Sequence, residues 1–472
     1  MANFKQIMMA SAGGDSQWAL MIKVGDDTEF TGTAPNDDET EYGVYVTTRG
    51  GGGSTNYVGF IQLDPDGGVI GPYKPLLTQQ DGFQGRPVRY GRFGQWHMPR
   101  YLNYSTVNTF WGMNSSSTLG GANSATHSQT SSYNVDPYAL DTQSSGQTGP
   151  RFYMGIDQAS VGGGEKVNNV AGVWYSKGMK FTDSTTGKVE DIVKSPGDGA
   201  VYAVKVSNSQ TVMVGKCPIN TGVDWPEGGL KNGVAWQQGY SSAKMSYGFS
   251  TARTSTIAVK FGASSGALYV CGGNKMLKFN TNGDNTTGVL SLSLFWLINN
   301  SPQGNYSLGR IKFDNVNNKL YWICNQNATT GDYVTVVQMD DDGVVLGSAK
   351  INSNTTNYGE MRVTAGGKAS DFFVTAEGDL VFGVTMRKTS GNSKRALLIK
   401  CKFDNLSSLA GITDSDGDEM IASVSNPSCS KSALSVPTPS YTGYMGNLNG
   451  MGMYLARITP SAFGPTLKNI SL

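Results

Sequence analysis

Residues 62–71 read QLDPDGGVIG, and residues 338–347 read QMDDDGVVLG. The two stretches lie 276 residues apart and share the Gln, two Asp, a Gly, a Val and the final Gly at matching places. In each, an apolar run rich in β-branched residues breaks at an Asp/Gly cluster and then resumes. That is the pattern of two strands joined by a tight turn. A supersecondary unit that returns at such a distance points to a repeat architecture, because one small sheet cannot bury both of its faces alone.

The pattern recurs between the two copies and after them. Arg310–Phe313 leads through Asn315–Asn318 into Lys319–Cys324, and Thr256–Phe261 leads through Ser264–Gly266 into Ala267–Cys271. Asp371–Thr375 leads into Asp379–Met386, Ala396–Phe403 follows, and Gly199–Val206 fits the same slot. Val107–Met113, Gly172–Phe181 and Met453–Ile458 are weaker instances. With Tyr202, Tyr269, Tyr321 and Val381 as landmarks, the gaps are 67, 52 and 60 residues. A four-stranded antiparallel unit with its turns needs roughly 40 to 50 residues, so each gap holds one unit with longer loops. The 472-residue chain then holds about seven such units, with a long Ser/Thr/Asn-rich insertion near 103–150.

Composition agrees with short strands. Charged residues make up only 15% of the chain, too few for long surface helices built on Glu and Lys. The net charge of +1, with Lys and Arg scattered, argues against a nucleic-acid footprint. Apolar runs such as Leu290–Ile298 are too short to span a bilayer, and the N-terminus lacks a secretory leader pattern. Cys217, Cys271, Cys324, Cys401 and Cys429 are odd in number and far apart, which predicts free thiols and no zinc site. Synthesis in a reducing cytosol without export is the expectation.

The order of inner strand, Asn/Ser/Gly turn and aromatic-bearing strand resembles bacterial β-propeller repeats. Their pattern is matched by Phe313-Asp314 through Leu320-Tyr321, then by Val337-Gln338-Met339-Asp340 to Gly343. The resemblance covers about residues 255–405 and 15–71, and it implies a fold and no catalytic residue. The expected class is therefore all-β, a β-propeller of about seven four-stranded blades over 15–472. Tandem β-sandwich or jelly-roll domains are the alternative.

Residues 1–14, MANFKQIMMASAGG, resemble the N-termini of tailed-bacteriophage virion proteins through Lys5-Gln6, Met8-Met9, Ala10 and Ala12-Gly13. The resemblance implies an attachment arm whose docking residues are Phe4, Ile7, Met8 and Met9; the plain alternative is a first strand or a frayed end. Together with the absence of a catalytic set, it predicts a non-enzymatic virion structural protein of a phage tail, assembled in the host cytoplasm. Its partners would be other virion proteins in a symmetric homo-oligomeric assembly, with contact to a host surface glycan or receptor. A glycan-binding propeller and a capsid decoration or fibre protein are alternatives, and a glycan depolymerase is a further one.

Candidate chemical sites are sparse. His97 and His127 are the only histidines, and no GxSxG elbow accompanies either, so a hydrolytic triad and a His-rich metal centre are not expected. No metal or cofactor is expected. Asp414-Ser-Asp-Gly-Asp-Glu419 alternates carboxylates as a calcium loop does, but glycine stands fourth rather than sixth and no Glu stands twelfth, so the reading is a solvated acidic turn. Glu165, Glu190, Glu227 and Glu360 could assemble a glycosidase pair, although nothing in the spacing brings any two together and surface solvation is the plain reading. Trp111 and Trp236 are the candidates for stacking on sugar rings at exposed loops, beside the commoner fate of core packing.

Overall fold

The computed structural model describes residues 17–24, 27–36, 38–47, 59–70, 266–280, 292–301, 309–325, 331–364, 369–391 and 393–436 with their side chains. A few more side chains are described between 191 and 260, and elsewhere strand backbones alone.

Strand β1 (Trp18–Lys23) stands apart from those that follow it. β2 (Asp27–Pro35), β3 (Tyr42–Arg49), β4 (Asn56–Leu63) and β5 (Lys74–Leu77) form an antiparallel meander. So do β6 (Arg89–Gly91), β7 (Gln95–Tyr101), β8 (Val107–Asn114) and β9 (Ala122–Ser128). β10 (Asn134–Asp141) is antiparallel to β11 (Arg151–Asp157), which runs parallel to β12 (Trp174–Phe181). Meanders resume with β13 (Gly187–Lys194), β14 (Ala200–Ser207), β15 (Thr211–Pro218) and β16 (Trp236–Ser241). The next holds β17 (Ser255–Lys260), β18 (Ala267–Gly272), β19 (Lys275–Asn280) and β20 (Ser291–Asn299). After it come β21 (Leu308–Asp314), β22 (Lys319–Asn325), β23 (Tyr333–Asp340) and β24 (Val345–Ser353).

The last of these sheets is assembled from distant parts of the chain. β25 (Tyr358–Arg362) leads through the two-residue strands β26 (Thr364–Ala365) and β27 (Lys368–Ala369) to β28 (Phe373–Val374). β25 and β28 both pair with β29 (Asp379–Lys388), β29 pairs with β30 (Lys394–Lys402), and β30 pairs with β1. A short 3-10 helix, Phe403–Leu409, follows. Although it precedes β2 in the chain, β1 belongs to the sheet of β29 and β30. Its faces explain the choice: Ala19 and Met21 enter one core while Trp18, Leu20 and Ile22 enter another, so β1 needs cover on both sides.

The remaining strands do not form a sheet of their own. β31 (Ile421–Ser425) adds to β24, β32 (Ser430–Ala433) to β20, and β33 (Tyr441–Tyr444) to β16. β34 (Gly446–Ile458) pairs first with β12 and then with β9, and β35 (Thr466–Ile470) pairs with β1. Met453–Ile458, read from sequence as one more hairpin strand, is thus part of a tail that crosses the last strands of the sheets in reverse chain order. The tail covers main-chain edges that would otherwise stand open.

Face-to-face stacking of sheets makes the core. Tyr202, Val204, Val212 and Val214 meet Leu268, Val270, Leu277 and Phe279. The opposite face of that second sheet, with Tyr269, Met276 and Trp296, meets Leu320, Trp322 and Val337. Tyr321, Ile323, Val334 and Val336, on the far side of the third sheet, meet Leu380, Phe382, Val384 and Leu397. Val381 and Leu398 then face Phe30, Val44 and Ile61 of the β2–β5 sheet. Successive residues of one strand point to opposite faces, so a strand covered on both sides reads as an unbroken apolar run, as LYWIC does at 320–324. The first strands stand side by side: β13 by β17, β17 by β21, β21 by β28, and β28 by β2. Small antiparallel meanders stacked face to face in chain order, with their first strands adjacent, make the architecture an all-β propeller. Among the described residues no helix is long and apolar enough to cross a membrane.

Candidate functional site

The repeated Asp/Gly element forms the same turn in both copies. Asp64 Oδ1 accepts the backbone N–H of Asp66 at 2.9 Å and of Gly68 at 2.7 Å. Asp340 Oδ1 accepts those of Asp342 at 3.0 Å and Val344 at 2.8 Å. The aspartate at position one mimics a main-chain acceptor, and the glycine at position four takes a left-handed conformation, φ +81° at Gly67 and +79° at Gly343. A third copy, which shares only the Asp-x-Asp-Gly of the turn itself, lies at Asp414: Oδ1 accepts Asp416 N–H at 2.8 Å and Asp418 N–H at 3.0 Å, and Gly417 has φ +85°.

Each of the first two turns docks on the neighbouring sheet through a tryptophan and a lysine. Gly67 lies against Trp18, whose indole N–H donates to Pro65 O at 2.8 Å, and the Lys400 ammonium donates to the same carbonyl at 3.1 Å. Gly343 lies against Trp296, while Lys260 reaches Asp341 at 2.7 Å and Lys278 reaches Asp342 at 2.8 Å. Tyr269 adds a hydroxyl bond to Asp341 O at 2.8 Å. The hydrogen bond from Lys260 holds the Asp341 carboxyl below the usual carboxylate range. Both tryptophans sit on the outer, fourth strand of their sheet, so the turn is a repeated joint between sheets. Trp18 precedes Asp64 by 46 residues and Trp296 precedes Asp340 by 44, so the tryptophan stands at nearly the same spacing before its turn in both copies.

At the third turn the expectation of a solvated acidic loop is corrected at Asp414, while Ser415, Asp416 and Gly417 are exposed. The Asp414 side chain is fully buried, and its carboxylate receives the Tyr358 hydroxyl at 2.5 Å and the Arg395 guanidinium. Lys388 Nζ stands 3.3 Å from Asp414, 2.9 Å from Asp416 and 2.5 Å from Asp418. The three carboxylates approach within 4.8 Å of one another, the spacing a hard cation would use, and the lysine ammonium sits among them. Burial alone would raise the Asp414 carboxyl, but the Tyr358 hydroxyl, the N–H groups of 416 and 418 and Lys388 together bring it below the ordinary range. Hydrogen bonds from Lys388 and Arg395 lower Asp416 to about 2. The turn folds inward because β29 and β30 present two cations at its foot.

A second set of buried charges lies on the first strands. Arg310 of β21 meets Asp191 of β13 at 3.0 Å, both almost fully buried, and donates through Nε to Ala369 O at 3.0 Å. Asp371 pairs with Lys312 at 2.8 Å. Glu360, expected at the surface as one candidate of a glycosidase pair, is also corrected: it is buried on β25 between Arg362 at 3.0 Å and Arg387 at 2.8 Å. Two cations flank it where a glycosidase would place a second carboxylate.

The other expected site residues are placed as follows. Phe4, Ile7, Met8 and Met9 lie outside the described residues, as do Glu165 and Glu227. Trp111 lies within β8, in register with Met98 and Ser124, and Trp236 opens β16 opposite Lys216 and Tyr444. Their side chains and that of Glu190 are likewise outside the described residues. Within 103–150, strands Val107–Asn114, Ala122–Ser128 and Asn134–Asp141 are described. Cys271, Cys324 and Cys401 are buried, and Cys429 is half-buried.

No protein-family model matches the chain, and no curated protein does. Among solved structures, the β-propeller domain of Cps50 (Swd1) from Myceliophteria thermophila is 8% identical, with 82% of this chain and 100% of that chain covered and a TM-score of 0.37. The Nup133 β-propeller domain from Vanderwaltozyma polyspora is 8% identical over 82% and 99% of the two chains, with a TM-score of 0.35. The WD40 domain of SCAP from fission yeast is 8% identical over 84% and 89%, with a TM-score of 0.25. Such distant likeness carries no argument about function, and the fold rests on the strand pairings.

Proposed function

We propose that this chain is a non-enzymatic structural protein of a tailed-phage virion, a tail component that works by protein–protein docking through residues 1–14. The observation that supports a scaffold is the use to which the ionisable groups are put. At Asp341, Asp414 and Glu360 the carboxylates face lysine or arginine across a joint between strands or sheets. Such pairs fix the relative position of neighbouring elements, which suits a part that must present rigid surfaces. The assignment to a phage tail draws on the resemblance of the N-terminal arm, and a closed ring of about seven sheets is supported by the adjacency of the first strands. Outward loops would be free for contact with a host receptor.

The test is phage assembly with a chain lacking residues 2–14. The expected result is loss of the protein from purified virions, while the recombinant truncated chain keeps the β-rich circular dichroism and melting transition of the full one. Unchanged incorporation would overturn the docking arm.

A further inference from the structure

We propose that the outer edges of β24 and β20 are strand-acceptor sites able to take the tail of a second copy of this chain. The proposal goes beyond the tail-component reading and does not depend on it. It starts from how the tail is held past its anchor. The turn at 414–418 is clasped by Lys388 and Arg395, and Met420 and Ile421 are buried, so the take-off point is fixed. Beyond it the side chains are less covered: of β31 only Ile421 is fully buried, with Val424 packed at the edge of the same core, and no residue of β32 is buried. What holds these strands is main-chain pairing, the partly buried side chains of Val424, Cys429 and Leu434 at the edges of the cores, Lys431 over the Trp296 ring and at Asp342 O, and a few further polar bonds. Asn352 donates to Ser423 Oγ at 3.1 Å, Asn300 to Ser428 O at 3.3 Å, and Leu434 N–H to Phe295 O at 2.8 Å.

Charges of the kind that guard a sheet edge are sparse on both partners of this pairing. β24 carries one lysine and β20 no charged residue. Beyond Glu419 the chain has no acidic residue, and Lys431, Arg457 and Lys468 are its only Lys or Arg. Strand addition to an edge draws its affinity from main-chain hydrogen bonds, which any copy of the same segment supplies. A second copy of the tail is therefore complementary to these edges in the same register, and exchange of an identical element is a low-cost route to association. Reach does not forbid it, since the fifteen residues after Ile421 span up to about 50 Å when extended. In the single chain, the tail's high effective concentration favours its own edges, so exchange is expected only after transient release.

The experiment uses the full-length chain. Lys350 and Ser425 are directly opposed in the β24–β31 register. One preparation carries Lys350→Cys and another Ser425→Cys. The two are mixed at high concentration in urea just below the unfolding transition, returned to buffer and oxidised. A third chain with both substitutions reports closure within one molecule, and Lys350→Cys mixed with Ser432→Cys serves as the off-register control, since Ser432 opposes Leu297. The expected result is a disulfide-linked heterodimer about tenfold more abundant than in the off-register mixture, because only opposed residues satisfy disulfide geometry. The yield should rise further when Arg395→Ala weakens the clasp. Closure of the double variant without any heterodimer, or equal yield from the off-register mixture, would overturn the proposal.

Discussion

A β-carbon on Gly343 would stand 2.4 Å from the ring of Trp296, and one on Gly67 would stand 2.9 Å from Trp18. The two pairs are the same joint, built twice from residues far apart in the chain. Gly343→Ala meets both a left-handed backbone and a clash with a fully buried ring, so a loss of about 2 to 5 kcal/mol is expected. Gly417 supplies the control: its φ is also left-handed, but nothing lies within 4 Å of the added carbon. Gly417→Ala should cost only about 1 to 2 kcal/mol. Urea denaturation of both variants checks the ranking, and equal losses would show that the tryptophan contact is not restrictive.

The clasp at Asp414 should respond unequally to the loss of its members. Arg395→Ala leaves a fully buried carboxylate with one cation fewer, and about 3 to 5 kcal/mol of stability should go with it. Asp416→Asn removes a half-exposed partner, and the change in urea midpoint should be small.

Acid should loosen the same region. Asp414, Asp416 and Asp341 all have folded-state values below the ordinary 3.8. A depressed carboxyl contributes stability that is present above its unfolded value and lost as pH falls through its folded value. The melting temperature should therefore drop between about pH 4 and pH 2, the latter being where Asp416 titrates. Asp416→Asn should flatten the lower part of that curve. A variant profile that overlays the parent's would remove Asp416 from the account.

Arg310 and Asp191 join β21 to β13, two first strands between which β17 stands. A double-mutant cycle of Arg310→Met and Asp191→Asn is expected to give a coupling energy of about 0.5 to 3 kcal/mol, the range for residues in direct contact. Additive losses would mean the pair contributes nothing specific across the gap.

Thiol chemistry offers a simple probe of the stacked cores. Burial pushes the Cys401 thiol up to about 12 and raises that of Cys271 further, so neither should react with a disulfide reagent while the protein is folded. Cys429, half-buried on the tail, should label first among the four described cysteines. Fast labelling of Cys271 or Cys401 in native buffer would show that the sheets part readily.

Much of the local structure was legible in the chain. The Asp/Gly turn at 340–343, the strands on either side of it, and their return at 57–71 followed from β-branched runs and from the one residue type suited to a left-handed turn position. The all-β class followed from the same periodicity and from the scarcity of charge. These are local properties, because side-chain alternation and turn chemistry are settled within a few residues. Tertiary structure decided which edge each strand found. Nothing in WALMIK says that β1 leaves its neighbours to pair with β30 and β35, and nothing near Ile421 says that the tail is shared out among sheets formed long before it. Likewise Asp414 carries no mark in sequence that Lys388 and Arg395 await it. Main-chain pairing is indifferent to sequence, so the choice among open edges falls to which faces must be covered and which cations are already buried nearby.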